Sequence, residues 1–168
     1  MIIYRQAKAC DEQLLQVFLY HAIYVPEGCK PPSADIVFTE DFIQYTEAFG
    51  TNPLDLGIVA EDNGNPVGVA WVRLMKSYGY VDNDTPELSI SLLPEYRGKG
   101  IGTVLLSELL NSLKMKNCRY VSLSVQKANT AALRLYRKAG FKIIEDKGDE
   151  LVMKIDLENN EAVFAVIK

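Results

Sequence analysis

Residues 94–102 read PEYRGKGIG and separate two segments with different hydrophobic patterns. The preceding run, ELSISLL at residues 87–93, is typical of a β-strand. After the glycines, apolar residues recur every three or four positions, which predicts a helix over residues 103–116. The three glycines therefore lie on a strand-to-helix turn.

This turn has the features of an anion-binding site. The first N–H groups of a helix have no internal partner and carry partial positive charge. Glycine lets a ligand approach that backbone closely. Arg97 and Lys99 add positive charge at the same turn. The sequence therefore predicts a site for a phosphate or a pyrophosphate.

The glycine spacing argues against two common nucleotide-binding motifs. A P-loop places Lys and Ser or Thr after its last glycine, whereas Ile101 follows Gly100 here. A dinucleotide fingerprint has the spacing G-x-G-x-x-G in a chain-initial unit, whereas G-x-G-x-G occurs here past mid-chain. By itself, the turn fits a tight turn with solvated basic side chains as well as it fits an anion site.

A second motif, NTAALRLYRKAGF at residues 129–141, follows about thirty residues later. The two motifs, in this order and at this spacing, resemble the GNAT family of acyl-CoA-dependent N-acyltransferases. The resemblance covers residues 55–156 well and residues 1–54 in outline. It implies an α/β (α+β) fold in a single domain over residues 1–168. In this fold a mixed, mostly antiparallel sheet with splayed central strands is flanked by helices.

The resemblance also implies an acetyl-CoA site along the two motifs. Backbone N–H groups of the glycine turn would hold the pyrophosphate, and the pantetheine arm would pair like an extra strand with residues 90–92. A backbone N–H near Leu92 would stabilise the developing oxyanion, and Asn129 would contact the arm. The predicted cofactor-binding residues are Ile90, Ser91, Leu92, Arg97, Gly98, Lys99, Gly100, Ile101, Gly102, Thr103, Asn129 and Tyr136.

Two side chains are candidates for proton transfer. An amine of pKa about 10.4 is almost fully protonated near pH 7, so a general base is needed. Glu87, which opens the strand before the glycine turn, is the candidate base; the alternative is a surface carboxylate at a strand end. Tyr136 matches the family tyrosine that protonates the departing CoA thiolate. The alternative for Tyr136 is a core tyrosine with a hydrogen-bonded hydroxyl.

Composition excludes several classes of protein. The 168 residues suit one domain, and the net charge of −4 argues against a nucleic-acid partner. The N-terminal residues lack the charged and then apolar pattern of a signal peptide, and no apolar run approaches 18 residues. We therefore expect a cytoplasmic protein without a membrane segment. Three widely spaced cysteines and one histidine predict neither a disulfide framework nor a metal site.

The rest of the chain is predicted as alternating elements and loops. Residues 25–38 are predicted to form a long loop. The GNAT resemblance implies that this loop and its flanking helices line the acceptor side, where Tyr20, Tyr24, Glu27, Asp35, Phe42 and Tyr45 lie. The predicted helices cover 11–24, 39–49, 103–116 and 130–139. The predicted strands cover 2–7, 56–61, 66–75, 87–93, 119–125, 141–146 and 150–157. Residues 158–168 form an apolar extension that is an edge strand, a homodimer contact or packing on its own domain.

The leading hypothesis for function is an acetyl-CoA-dependent N-acetyltransferase acting on a primary amine of a small molecule or a protein. The cysteines fall outside both motifs, so direct attack in a ternary complex is expected, without a covalent enzyme intermediate. The alternative is a catalytically inactive CoA-binding module that serves as a sensor or scaffold. A nucleotide-binding protein is disfavoured by the glycine spacing.

Overall fold

A computed structural model describes residues 1–160. Seven strands form one sheet in the order β1-β2-β3-β4-β5-β7-β6. All neighbours are antiparallel except the parallel pair β4 and β5. The predicted mixed, mostly antiparallel sheet is therefore confirmed. The strands are β1 Ile2–Gln6, β2 Leu56–Asp62, β3 Asn65–Arg73, β4 Glu87–Leu92, β5 Tyr120–Gln126, β6 Lys142–Asp146 and β7 Glu150–Asp156.

Helices cover both faces of this sheet. They are α1 Glu12–Ala22, α2 Glu40–Ile43, α3 Ile101–Met115 and α4 Thr130–Ala139. The leucines of α3 pack with α4 on one face, and α1 packs over the opposite face around Trp71. Trp71 is fully buried and its indole N–H donates to the Tyr45 carbonyl (2.9 Å), so it is a core residue. α3 connects β4 to β5, since parallel neighbours need a long crossover.

The central strands β4 and β5 separate almost at once. They pair at Glu87 and Ser122, where the Ser122 N–H donates to the Pro86 carbonyl (3.0 Å). On the other edge of β4, the Leu93 N–H donates to Val67 of β3 (3.0 Å). Successive residues of a strand direct their backbone groups to opposite neighbours. The N–H groups at positions 90 and 92 therefore face the gap between β4 and β5, as the predicted splay requires.

One predicted helix is wrong in extent. Residues 39–49 were expected to form a continuous helix, but α2 ends at Ile43 and turns follow up to Gly50. Ala48 and Gly50 have positive φ angles of 51° and 96°, which no α-helix accommodates. The Thr39 hydroxyl donates to the Ile36 carbonyl (2.7 Å) and does not cap the helix.

Two further predictions concern the C-terminal extension and membrane-spanning segments. The apolar extension falls mainly on residues 161–168, which lie outside the described residues, so its role and the single-domain boundary stay predictions. Within residues 1–160, no helix has both the length and the apolar character that spanning a bilayer demands.

Candidate active site

The glycine turn has the backbone geometry that its sequence predicts. Gly98 and Gly100 have positive φ angles of 71° and 82°, a region that L side chains rarely adopt. Gly100 precedes α3, and its carbonyl accepts the first helical hydrogen bonds, from Thr103 (3.1 Å) and Val104 (3.3 Å). The N–H groups of residues 101 and 102 therefore have no helical acceptor. This turn can hold an anion with backbone donors alone.

A cavity of about 940 Å³ runs from the glycine turn along the gap between β4 and β5 to Glu87. This volume lies at the upper end of the range of roughly 300–1,000 Å³ typical of ligand sites. Most of the predicted cofactor-binding residues line it. They are Ile90, Ser91, Leu92, Arg97, Gly98, Gly100, Gly102, Thr103, Asn129 and Tyr136.

Two predicted cofactor-binding residues do not line the cavity. The Lys99 ammonium lies 5.3 Å from the centroid of the Tyr96 ring, and the Ile101 side chain is buried in the core. Any contact of Lys99 and Ile101 with a ligand would therefore come from their backbone groups and not from their side chains. The Arg97 guanidinium is placed differently, because its Nε donates to the Leu92 carbonyl (3.1 Å) and ties the turn to the end of β4.

The predicted contact of Asn129 needs a refinement. Its side-chain oxygen accepts from the Ala132 N–H (3.2 Å) and caps α4. The oxygen is therefore committed to the helix, and the amide NH₂ group is the part of Asn129 left to meet a ligand in the cavity.

Tyr136 is a buried residue of α4 that nevertheless lines the cavity. Its ring packs 5.8 Å from that of Phe141, and burial raises the pKa of its phenol above the ordinary value of 10.0. Within residues 1–160, no hydrogen bond of the Tyr136 hydroxyl is seen. The expectation of a core tyrosine with a bonded hydroxyl is thus met in its packing and not in its hydrogen bonding.

Glu87 is enclosed and not a surface carboxylate, since only 2% of the residue is exposed. Its Oε1 accepts from the Gly79 N–H (2.9 Å) and from the Tyr45 hydroxyl (3.4 Å). Oε2 is buried and has no hydrogen-bond partner in the part of the chain that the structure describes. Burial raises the pKa of this carboxyl to about 7, against an ordinary value of 4.5. The cavity thus ends at a carboxylate that can accept a proton near neutral pH.

The model of the acetyltransferase (GNAT) family matches residues 20–141, which include both motifs and all the residues that line the cavity except Leu19 and Glu150. The chain belongs to the GNAT family. This result confirms the resemblance stated from the two motifs. Within residues 1–160, no group of three or more His, Cys, Asp and Glu side chains is placed to hold a metal ion.

Individual GNAT relatives cover the chain to different extents. An N-alpha-acetyltransferase from Sulfurisphaera tokodaii is 32% identical over 115 residues, and the match covers 64% of this chain and 64% of that protein. The chain therefore matches less than two thirds of that relative's length. The N-acetyltransferase structure from Staphylococcus aureus Mu50 has a TM-score of 0.70 at 26% identity, covering 94% of this chain and 99% of that one.

A third comparison concerns the fold alone. The PaiA N-acetyltransferase from Thermoplasma acidophilum, solved in complex with coenzyme A, has a TM-score of 0.69 at 21% identity. The alignment covers 93% of this chain and 99% of that one. The GNAT fold class predicted from the sequence is confirmed by these neighbours.

Sequence reasoning missed the loop that covers Glu87. A Cβ at Gly79 would lie 2.7 Å from the backbone carbon of Leu123 and 2.9 Å from the Glu87 carboxyl carbon, so only glycine fits there. Ser77 shares a short hydrogen bond with Tyr45, which in turn contacts Glu87. The only sign of this loop in the sequence is a glycine within a polar segment. That glycine does not indicate that the loop covers Glu87.

Four of the six residues predicted for the acceptor side line the cavity, and their role there stays a prediction. Tyr20, Tyr24, Phe42 and Tyr45 line the cavity, whereas Glu27 and Asp35 are exposed and do not. Glu150, which the sequence did not single out, lines the cavity and its charge contributes to the raised pKa of Glu87. Charge at this end of the cavity therefore comes from strands β4 and β7, not from the long loop.

The raised pKa of Glu87 predicts a pH-dependent cost in stability. Folding favours the protonated carboxyl, so the Glu87 contribution is fully present below about pH 4.5 and is lost as pH rises through about 7. One pKa unit corresponds to about 1.4 kcal/mol, so Glu87→Gln should gain roughly 3 kcal/mol relative to the parent between pH 4 and pH 9. Urea unfolding at several pH values measures this difference, and a constant difference across that range would contradict it.

Proposed function

We propose that this GNAT protein is an N-acetyltransferase that transfers the acetyl group of acetyl-CoA to a primary amine by direct attack in a ternary complex. The observation that carries the proposal is the continuity of one cavity. It begins at a left-handed glycine turn with free N–H groups and ends at a buried carboxylate with an unpaired oxygen. A substrate with an anionic end and a reactive acyl end matches this polarity.

The residues along the cavity suit acetyl-CoA as the donor substrate. The turn at 98–103 offers backbone donors and the Arg97 charge to a pyrophosphate. The N–H groups at 90 and 92 face the gap and are available to an extended arm that would pair with β4 as an additional strand. The coenzyme A complex of the PaiA neighbour supports this assignment. Acetyl-CoA supplies a thioester whose carbonyl carbon is the acceptor's target.

Three groups of the chain would serve the transfer. Glu87, with a pKa of about 7, receives the proton of the attacking amine, directly or through a water. The Leu92 N–H stabilises negative charge on the thioester oxygen. Tyr136, whose hydroxyl is unbonded within residues 1–160 and whose pKa burial raises, donates to the departing sulfur. All three residues line the same cavity, which supports these roles.

Acetyl-CoA should raise the melting temperature of the protein more than adenosine 3′,5′-bisphosphate does. A ligand that binds only the folded state stabilises it by about 2.7 kcal/mol at a hundredfold excess over Kd. The bisphosphate lacks the arm that the gap between β4 and β5 accommodates, so it gains less. Differential scanning fluorimetry with both ligands measures the effect.

Two outcomes of this measurement would oppose the proposal. Equal shifts with both ligands would mean that the gap binds no pantetheine arm. A larger shift with acetyl-CoA, but no CoA release with any amine of a broad panel, would favour the inactive CoA-binding sensor or scaffold. CoA release with at least one amine establishes the enzyme.

The cellular setting is also part of the proposal. Cys10 and Cys29 are exposed, Cys118 is buried, and all three are free thiols, which suits a reducing compartment such as the cytoplasm.

A homodimer contact through residues 158–168 remains a prediction. Sedimentation of the full chain, compared with that of a chain ending at residue 160, measures it.

A further inference from the structure

The end of the cavity around Glu87 has aromatic walls. The Phe42 ring lies 6.1 Å from that of Tyr45, nearly parallel to it, and 6.3 Å from that of Tyr78. All three line the cavity, and Tyr78 is 43% exposed at its mouth. Tyr20 of α1 and Tyr24, which follows the end of α1, also line the cavity. Flat apolar faces thus surround the one carboxylate that the proposed transfer uses.

Within residues 1–160, this end of the cavity is lined by acidic side chains and by no lysine or arginine. Glu87 and Glu150 line it, and Arg97, the only arginine of residues 1–160 that lines the cavity, is bonded to Leu92 at the opposite end. No lysine among residues 1–160 lines the cavity. The Lys147 ammonium, in the turn between β6 and β7, donates to the Tyr78 carbonyl (3.2 Å) and pairs with Glu145 (3.9 Å), and its charge offsets part of the rise in the pKa of Glu87. His21 lines the cavity on α1, edge-on to Tyr20.

We infer that the acceptor is a primary amine that carries an aromatic group and has no carboxylate next to the amine. This inference rests on the proposed function. Aromatic rings pack favourably in offset or edge-to-face contacts with Phe42 and Tyr78, and their faces also attract a cationic amine. A carboxylate beside the amine would be held next to Glu87 and Glu150, with no lysine or arginine of the cavity wall beside it, which is unfavourable where the carboxyl is buried.

Two kinds of acceptor carry such an amine: a free arylalkylamine, and a peptide whose N-terminal residue is aromatic. Both present a ring and an amine without an adjacent charge. The same acetylation assay separates them, because 2-phenylethylamine represents the first and a phenylalanyl-glycine amide represents the second. Acetylation of either one supports the inference and identifies the source.

The decisive comparison is between phenylalanine and phenylalaninol, in which a neutral alcohol replaces the carboxylate. CoA release is followed with acetyl-CoA saturating, and ethylamine serves as the acceptor without a ring. We expect kcat/KM for phenylalaninol to exceed that for phenylalanine by at least about tenfold, and 2-phenylethylamine to exceed ethylamine by a similar factor. Phenylalanine equal to phenylalaninol, or ethylamine equal to 2-phenylethylamine, would overturn the inference.

A variant links the preference to the aromatic wall. Tyr78→Ala should lower kcat/KM for 2-phenylethylamine about tenfold and change that for ethylamine much less, with acetyl-CoA affinity unchanged. Tyr80→Ala is the matched control, because Tyr80 lies in the same loop and does not line the cavity. Equal losses for both amines in Tyr78→Ala would show a structural role and overturn the assignment.

The failure of the inference and the failure of the proposed function give different results. If amines that bear carboxylates or lack rings are acetylated best, the enzyme stands and the inference is overturned. If acetyl-CoA binds and no amine in the panel or in a broader set is acetylated, both are overturned.

Discussion

Replacing Glu87 with glutamine is expected to lower kcat by about a hundredfold to ten-thousandfold, the range typical of a lost general base. Glutamine keeps the size of the side chain, and its carbonyl oxygen can still accept from the Gly79 N–H that contacts Glu87 at 2.9 Å. It cannot accept a proton near neutral pH. Steady-state CoA release at saturating amine measures kcat, and calorimetric titration checks that acetyl-CoA affinity is retained.

The pH profile tests the same role independently of the rate. With a pKa of about 7, Glu87 is protonated in acid, so kcat/KM of the parent should fall as pH decreases below about 7, beyond the effect of the amine's own titration. Glu87→Gln should lack this additional dependence. Glu150→Gln is the matched control, because it lines the same cavity and its charge raises the pKa of Glu87. That variant should keep most of kcat and move the acid limb to lower pH.

Two results would remove Glu87 from the base's role. One is full kcat in Glu87→Gln, and the other is an unchanged acid limb in that variant. The stability measurement at several pH values serves as a separate check, since a buried carboxyl with a raised pKa affects folding whether or not it takes part in catalysis.

The parts of the site that the sequence predicted are those built from local backbone. The turn at residues 98–102 needs positive φ, and glycines occupy those positions. Gly140 has a φ angle of 105° after α4, and Asn129 caps the same helix three residues before its N–H partner. Such features depend on neighbours within a few residues, so their spacing in the sequence is sufficient to place them.

The surroundings of Glu87 depend on contacts between distant segments. Its two hydrogen-bond donors, Gly79 and Tyr45, lie 8 and 42 residues away in the chain. Alternation along β4 indicated which face Glu87 occupies, but not that a loop would enclose it. The raised pKa of Glu87 results from that enclosure. The alternation of residues along β4 therefore could not predict it.

The wrong extent of α2 has a related cause. Start signals at residues 39–41 and a stop signal at residues 50–53 predicted a helix to residue 49, yet tertiary contacts favour a turn. The Arg73 guanidinium donates to the Gln44 and Glu47 carbonyls (3.0 and 2.6 Å) and pairs with Asp55 (3.0 Å). These bonds from β3 satisfy carbonyls that a continued helix would have used within itself. The resulting turn holds Tyr45 over Glu87.

Replacing Tyr136 with phenylalanine is expected to lower kcat by about ten- to a hundredfold and to leave acetyl-CoA affinity unchanged. This size corresponds to the loss of one hydrogen bond to a charged group, worth about 1.5–3 kcal/mol. Complete proton transfer to the sulfur is uphill, because a thiol has a pKa of about 8.5 while burial raises that of Tyr136 above 10.0. We therefore expect the hydroxyl to act mainly by stabilising the developing thiolate.

The pH dependence separates this role from that of Glu87. Tyr136 stays protonated over the working range because its pKa is raised, so Tyr136→Phe should lower kcat by the same factor at every pH. Tyr120→Phe is the matched control, since Tyr120 packs against Arg119 and Lys154 and does not line the cavity. Full activity in Tyr136→Phe would rule out the hydroxyl as the donor. A loss beyond about a thousandfold would instead show that complete proton transfer, and not a hydrogen bond, limits departure of the thiolate.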